Sequence, residues 1–161
     1  MAQHIQANND ETRHQPEDVI AMLTADHRQV CALFQQYAGT PDPYLKQIIA
    51  EHVFAELTLH MLLEETVLYS AYAEQVDEEG KRLVEAALQD HQQCRGLIET
   101  LQEIADDAAF ETRFQALRDR VTQHFGDEET TMFPQAAQIL ATHWEEITAL
   151  LQERKAQILA S

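Results

Sequence analysis

The chain has 161 residues, 45% of them hydrophobic, a length that suits one domain with a core large enough to fold without covalent staples. With 28 acidic against 11 basic residues the formal net charge is −17, which repels phosphate backbones and anionic lipid surfaces and argues against nucleic-acid and membrane partners. Cys31 and Cys94 stand outside any CxxC or secreted-framework spacing, the polar start of the chain has no apolar leader, and no run approaches the roughly 20 apolar residues of a membrane span, so the expected setting is the reducing cytoplasm.

Residues 1–15 read as a flexible tail. From Pro16, which suits a first helical turn, Ile20, Leu23, His27, Val30, Phe34 and Tyr37 recur at three- and four-residue steps until "AGTPDP" breaks the run. A second helix starts near Asp42 or Pro43, carries Ile49, Val53, Glu56, His60, Glu64, Val67 and Ala71 on its inner face, and stops at "VDEEG". A third places Val84, Leu88, His91, Cys94, Ile98 and Leu101 on one stripe. A fourth, after "DDAA", carries Phe114, Leu117, Val121, His124, Glu128 and Met132 and is closed by Phe133-Pro134. Thr142 and Glu145 have the capping-box spacing that opens a last helix through Trp144, Ile147 and Leu151. The pattern predicts an all-α domain over residues 16–161, an up-down-up-down four-helix bundle with an additional C-terminal helix.

One helical hairpin occurs twice. Shifting the numbering by 64 lays Asp26-His27 on Asp90-His91, His60 on His124, Glu64-Glu65-Thr66 on Glu128-Glu129-Thr130, and Tyr69 on Phe133, so the repeat keeps polar residues and not only the apolar pattern. Each His and Glu four residues apart share a helical face. Helix lengths predict that His91 and His124 lie level across their turn, that His60 lies level with His91, and that His27 and His60 are offset by several residues.

Carboxylates facing an apolar interior are costly unless partnered, and Lys46, Lys81, Arg82 and Arg118 fall on presumed outer faces. A bound metal removes the difficulty, and imidazole nitrogen with carboxylate oxygen suits iron, manganese or zinc. Six candidate ligands are too many for one ion with open positions. Two ions, each taking two of His27, His60, His91 and His124 and both sharing Glu64 and Glu128, use all six. Outside this set, Glu65 and Glu129 read as solvated or as supporting groups, and His52 and Glu56 continue the His60 stripe as candidate supporting groups or extra ligands. Cys31 and Cys94 follow His27 and His91 by about one turn as free core cysteines or redox-sensitive thiols, while His4, His14 and His143 have no case for a role.

His27 in "ADHR", His60 and Glu64 in "HMLLEE", His91 in "QDHQ", and His124 and Glu128 in "HFGDEETTMFP" together resemble the haemerythrin-like, HHE cation-binding family, in its four-His, two-Glu bacterial di-iron form. The resemblance implies two iron ions joined by an oxo or hydroxo bridge, and a non-haem centre that binds or reduces oxygen, nitric oxide or peroxide. It leaves open carrier, sensor, reductase and peroxidase, a sensor requiring a separate redox or signalling partner. An alternative within the resemblance is an iron-handling or iron-sulfur repair and delivery protein associated with stress, without gas chemistry; a metal-free structural bundle is a third reading. The oxygen carriers have a fifth His where this chain has Arg95, which implies oxidation in air rather than reversible oxygenation.

Overall fold

A computed structural model describes residues 18–161, so the tail and Pro16 lie outside the described residues. Helix α1 spans Val19–Gly39. The second long helix is α2 (Pro43–Leu63), a π turn π1 (Glu64–Leu68) and α3 (Tyr69–Ala73) in unbroken succession. Helix α4 covers Glu78–Glu103. The fourth comprises α5 (Asp107–Asp127), π2 (Glu128–Met132) and α6 (Phe133–Ile139), and after a 3-10 turn at Ala141–His143 the chain ends in α7 (Trp144–Leu159). No strand occurs among the described residues, and no helix there is long and apolar enough to cross a membrane.

An aspartate caps the start of each of the four long helices. Asp18, Asp42, Asp77 and Asp106 accept from the backbone N–H groups of Ala21, Tyr44, Gly80 and Ala109 at 2.8, 2.9, 3.0 and 2.8 Å. Each cap satisfies an N–H that the helix cannot, a contribution of about 1 kcal/mol, so part of the acidic excess does local structural work.

Several expectations require correction. Phe133-Pro134 does not close the fourth helix, which runs on to Ile139. Pro134 falls in the first turn after π2, where the shift from α to π register removes the demand for the N–H that proline lacks. The Thr142 capping box does not form: the 3-10 turn makes His143 the residue before α7, with no side-chain cap. Leu88 is 37% exposed, and Ala87 takes the buried place on the α4 stripe.

The levels of the histidines obey the repeat more strictly than the turns suggested. His60 stands 13 residues before Ala73 and His91 13 residues after Glu78, so these two are level. His27 stands 12 residues before Gly39 and His60 17 after Pro43, while His91 stands 12 before Glu103 and His124 17 after Asp107. The expected equality of His91 and His124 about their turn therefore fails, by the same five residues that separate His27 from His60. In each hairpin the second helix starts below the end of the first, which leaves Tyr44 and Leu45 at the start of α2 71% and 47% exposed.

Two apolar clusters fill the bundle. Val30, Phe34, Leu57, Ile98, Phe114 and Leu117 belong to the cluster on the side of the α1–α2 and α4–α5 connections. Val19, Leu23, Val67, Tyr72, Val84 and Ala136 belong to the other, which Ile147 and Leu151 of α7 complete. The final helix is thus core, and Thr148 Oγ1 accepts from the Val19 N–H at 3.2 Å to fasten it to the start of α1. Between the clusters lies a polar layer. Leu117 is fully buried in the first cluster, and Leu117→Ala is expected to cost about 2–5 kcal/mol through lost burial and a residual cavity. Urea titration should show a lower midpoint with an unchanged slope.

Candidate metal centre

The polar layer consists of the six residues singled out in the sequence. His27, His60, Glu64, His91, His124 and Glu128 are all buried, at 0, 1, 0, 0, 3 and 3% exposure, and four helices contribute them. The imidazoles meet in pairs: His27 Nε2 lies 3.1 Å from His60 Nε2, and His91 Nε2 lies 2.9 Å from His124 Nε2. Two nitrogens held at a right angle by one ion at about 2.1 Å would be roughly 3 Å apart, so each pair has the spacing of neighbouring ligands. His27, His60, Glu64 and Glu128 form one group able to hold a metal ion, and Glu64, His91, His124 and Glu128 form a second, ligand atoms within each group lying within 4.8 Å of one another. The two glutamates are common to both.

Glu64 divides its oxygens between the pairs, Oε1 lying 3.0 Å from His60 Nε2 and Oε2 3.2 Å from His91 Nε2. Glu128 Oε1 lies 2.7 Å from His124 Nε2 and 3.8 Å from His27 Nε2. Despite these short contacts, neither Glu64 Oε1 nor Glu128 Oε1 receives a properly directed hydrogen bond. Two buried carboxylate oxygens without hydrogen-bonded partners, facing convergent imidazole nitrogens, suit a metal ion better than they suit any arrangement of side chains alone.

Every imidazole is held from behind by a carboxylate. His27 Nδ1 lies 2.8 Å from Glu129 Oε1 and His91 Nδ1 2.7 Å from Glu65 Oε1; His60 Nδ1 and His124 Nδ1 lie 3.4 Å from Asp26 Oδ2 and Asp90 Oδ2. A carboxylate at Nδ1 keeps a proton there and turns Nε2 toward the interior. Each carboxylate in turn meets one cation. Arg28 contacts Glu129 at 3.0 Å, Arg95 grips both oxygens of Glu65 at 2.8 and 2.9 Å, Arg120 contacts Asp90 at 3.2 Å, and Lys155 of α7 reaches Asp26 at 3.6 Å. Arg95, at the position of the carriers' fifth His, therefore faces outward onto Glu65 rather than into the layer.

Glu65 and Glu129 are thus supporting groups and not merely solvated. The roles of Asp26 and Asp90 escaped the sequence reading, although the repeat had paired them; that pairing was the available signal. His52 and Glu56 pair with each other at 3.4 Å on the half-exposed outer side of α2 and do not reach the layer. His143 is exposed, and His4 and His14 lie outside the described residues. Cys94 is buried in the first cluster, where burial and the nearby Asp90 charge push its thiol up to about 11; burial also raises Cys31, so neither is a ready thiolate. The open cleft of about 940 Å³ between Tyr44, Lys46, Phe110 and Glu111 lies at the helix connections and includes none of the six residues.

The π turns set the last part of the geometry. Each begins at a glutamate of the layer, and the backbone N–H groups of Tyr69 and Phe133 bond to the carbonyls of Glu64 and Glu128. At 3.6 residues per turn position i+5 lies about 140° round a helix, whereas the wider turn returns it toward the face of residue i. Tyr69 consequently points its hydroxyl into the layer, 3.1 Å from Glu64 Oε2, 2.9 Å from Glu128 Oε2 and 3.3 Å from His91 Nε2. Phe133 and Phe125 stack on His27 with ring centroids 5.5 and 3.7 Å away.

Protons hold the metal-free layer together. Burial disfavours a charged His60, but the Glu64 carboxylate and the hydrogen bond to Asp26 outweigh it and push His60 up to about 10. Burial is likewise overcome at His124, where the adjoining Glu128 and Glu64 carboxylates raise it to about 10. Burial raises Glu64 too, yet His60 and the other imidazoles win and hold it well below the carboxylate range. Burial and the Glu64 charge push Glu128 up to about 7. His60 and His124 have folded values above their unfolded value of about 6.5, so their stabilisation is complete below that pH and disappears as pH rises through about 10. Metal-free protein should therefore melt lower at pH 9.5 than at pH 6.5. Added metal must displace those protons, so its stabilising effect should grow over the same interval. Calorimetric melts at both pH values, with and without metal, measure the two opposite slopes.

The sequence matches the family described as Hemerythrin HHE cation binding domain over residues 18–136, which takes in α1 to the first half of α6 and all six residues of the layer. Among curated proteins, one described as a DNA nickase from Nostoc sp. is 33% identical over 123 residues. That alignment takes in 73% of this chain but 32% of the relative, so the chain spans about a third of the relative's length. No solved structure matches significantly. The family match covers most of the bundle and the histidine and glutamate pattern within it, and the chain belongs to the hemerythrin HHE cation-binding domain family.

Proposed function

We propose that residues 16–161 form a haemerythrin-like domain that holds two iron ions, one at His27 and His60 and one at His91 and His124, with Glu64 and Glu128 shared between them. The observation that carries this reading is the pair of buried glutamates common to both four-residue groups, each with an oxygen left without a hydrogen-bond partner. Imidazole and carboxylate donors without thiolate suit iron, and two imidazoles per position leave room for an exogenous ligand. Iron held in such a pair supplies electrons to oxygen, nitric oxide or peroxide.

The protein residues perform the rest. Asp26, Glu65, Asp90 and Glu129 orient the four imidazoles, and the two apolar clusters keep bulk water from the layer. Burial of all six proposed ligands favours small-ligand chemistry over iron delivery, because handing iron to a partner would require the bundle to open. A nuclease reading rests on likeness to the Nostoc DNA nickase alone. Against it stand the net charge of −17 and the engagement of Arg28, Arg95, Arg120 and Lys155 with carboxylates of this chain.

Elemental analysis of protein from iron-replete cells should find about two irons per chain, and Glu64→Ala or Glu128→Ala should lose both together, because each carboxylate serves both positions. A single iron, or zinc in its place, would overturn the dinuclear assignment. Stopped-flow absorbance of the reduced protein should show rapid oxidation in air without a reversible oxygen adduct, and a distinct reaction with nitric oxide. Supercoiled plasmid incubated with iron-, manganese- or magnesium-loaded protein should remain closed; metal-dependent nicking lost in Glu64→Ala would reinstate the nuclease reading.

A further inference from the structure

The two halves of the layer superimpose in the sequence under the 64-residue shift, with Tyr69 answering to Phe133. The rings keep the same relation to their imidazoles: Tyr69 lies 5.4 Å from His91 at an interplanar angle of 28°, and Phe133 lies 5.5 Å from His27 at 16°. Backbone, π turn and ring are thus repeated, and only the phenolic oxygen is not. That oxygen has one hydrogen to donate and three neighbours, Glu64 Oε2, Glu128 Oε2 and His91 Nε2. It therefore sits beside His91, on the Glu64 oxygen that lies 3.2 Å from His91 Nε2. Glu64 Oε1 and Glu128 Oε1 are the two oxygens left without hydrogen bonds: Glu64 Oε1 lies 3.0 Å from His60 Nε2 and 3.8 Å from His27 Nε2, and Glu128 Oε1 lies between the pairs, 3.8 Å from His27 Nε2 and 2.7 Å from His124 Nε2.

We propose that the two metal positions are unequal and fill in order, the His27–His60 position first and the His91–His124 position second, and that the Tyr69 hydroxyl sets the difference. The proposal rests on the dinuclear reading above. An ion arriving beside His27 meets carboxylate oxygens that have no hydrogen bond to surrender. One arriving beside His91 must take Glu64 Oε2 from Tyr69 and move its hydroxyl off the imidazole nitrogen. The ring at position 69 costs the second ion nothing by itself, because Phe133 stands in the same relation to the first. The chain thereby builds a chemically lopsided centre from a nearly symmetric pair of hairpins.

Titration of metal-free protein with cobalt(II), followed by calorimetry and by the visible absorbance of the bound ion, tests the order. Two steps are expected, separated by about tenfold or more in Kd, the factor associated with displacing a hydrogen bond to a charged group. His27→Ala should remove the tighter step and His91→Ala the weaker one. Tyr69→Phe, which copies the ring present at position 133, should bring the two steps together while circular dichroism shows unchanged helicity. The double variant Tyr69→Phe with Phe133→Tyr should exchange the roles of the two histidines, His91→Ala now removing the tighter step. An unchanged separation in Tyr69→Phe, or loss of the tighter step in His91→Ala on the otherwise native chain, would overturn the ordering. Total uptake of one cobalt per chain would overturn the dinuclear reading itself, so the two failures are distinct.

Discussion

Glu64 and Glu128 are buried side by side within a helical bundle, and an uncompensated carboxylate in such a place costs several kcal/mol. The surrounding structure is organised around that cost. Four imidazoles close on the two carboxylates, and in the metal-free chain His60 and His124 remain charged far above their usual range to supply the missing positive charge. Even so the compensation is incomplete, since one oxygen of each glutamate lacks a directed partner. Pure packing would replace the whole layer with apolar side chains. Its presence between two well-packed clusters marks it as the place where stability gives way to binding.

Charge alternates outward from the glutamates, through imidazole and supporting carboxylate to a cation at the surface. The outermost pairs are half-exposed and contribute little to stability, about 0–1 kcal/mol each. Their value is directional: a carboxylate held by an arginine cannot swing away from the imidazole whose Nδ1 it holds. Helix α7 joins this scheme although it lies beyond the residues matched by the family, because Lys155 reaches Asp26 while Ile147 and Leu151 cover the second cluster. The acidic composition also finds its local explanation here, in four helix caps and four imidazole-supporting carboxylates.

The bundle, its five helices, the hairpin repeat and the six residues of the layer were all legible in the sequence. Helical periodicity is a local property, and polar residues inside an apolar stripe stand out because burial makes them expensive. The fourth-helix terminus was misjudged at Pro134 because proline's local meaning was overridden by the π turn, whose widened register leaves no trace in an apolar pattern. The Thr142 box failed because a 3-10 turn moved the start of α7 past it.

The sequence by itself determined which residues face inward and that two similar hairpins present the same ligand types, since both follow from spacing along a single helix. Tertiary structure decided which groups meet across helices. Glu129 serves His27 from the other hairpin and Glu65 serves His91 in return, a crossing that no spacing within one helix can encode. It also decided that Tyr69 would hold both glutamates while Phe133 only stacks, because contact among four helices depends on their relative rotation, and a single wide turn in each of two of them sets that rotation.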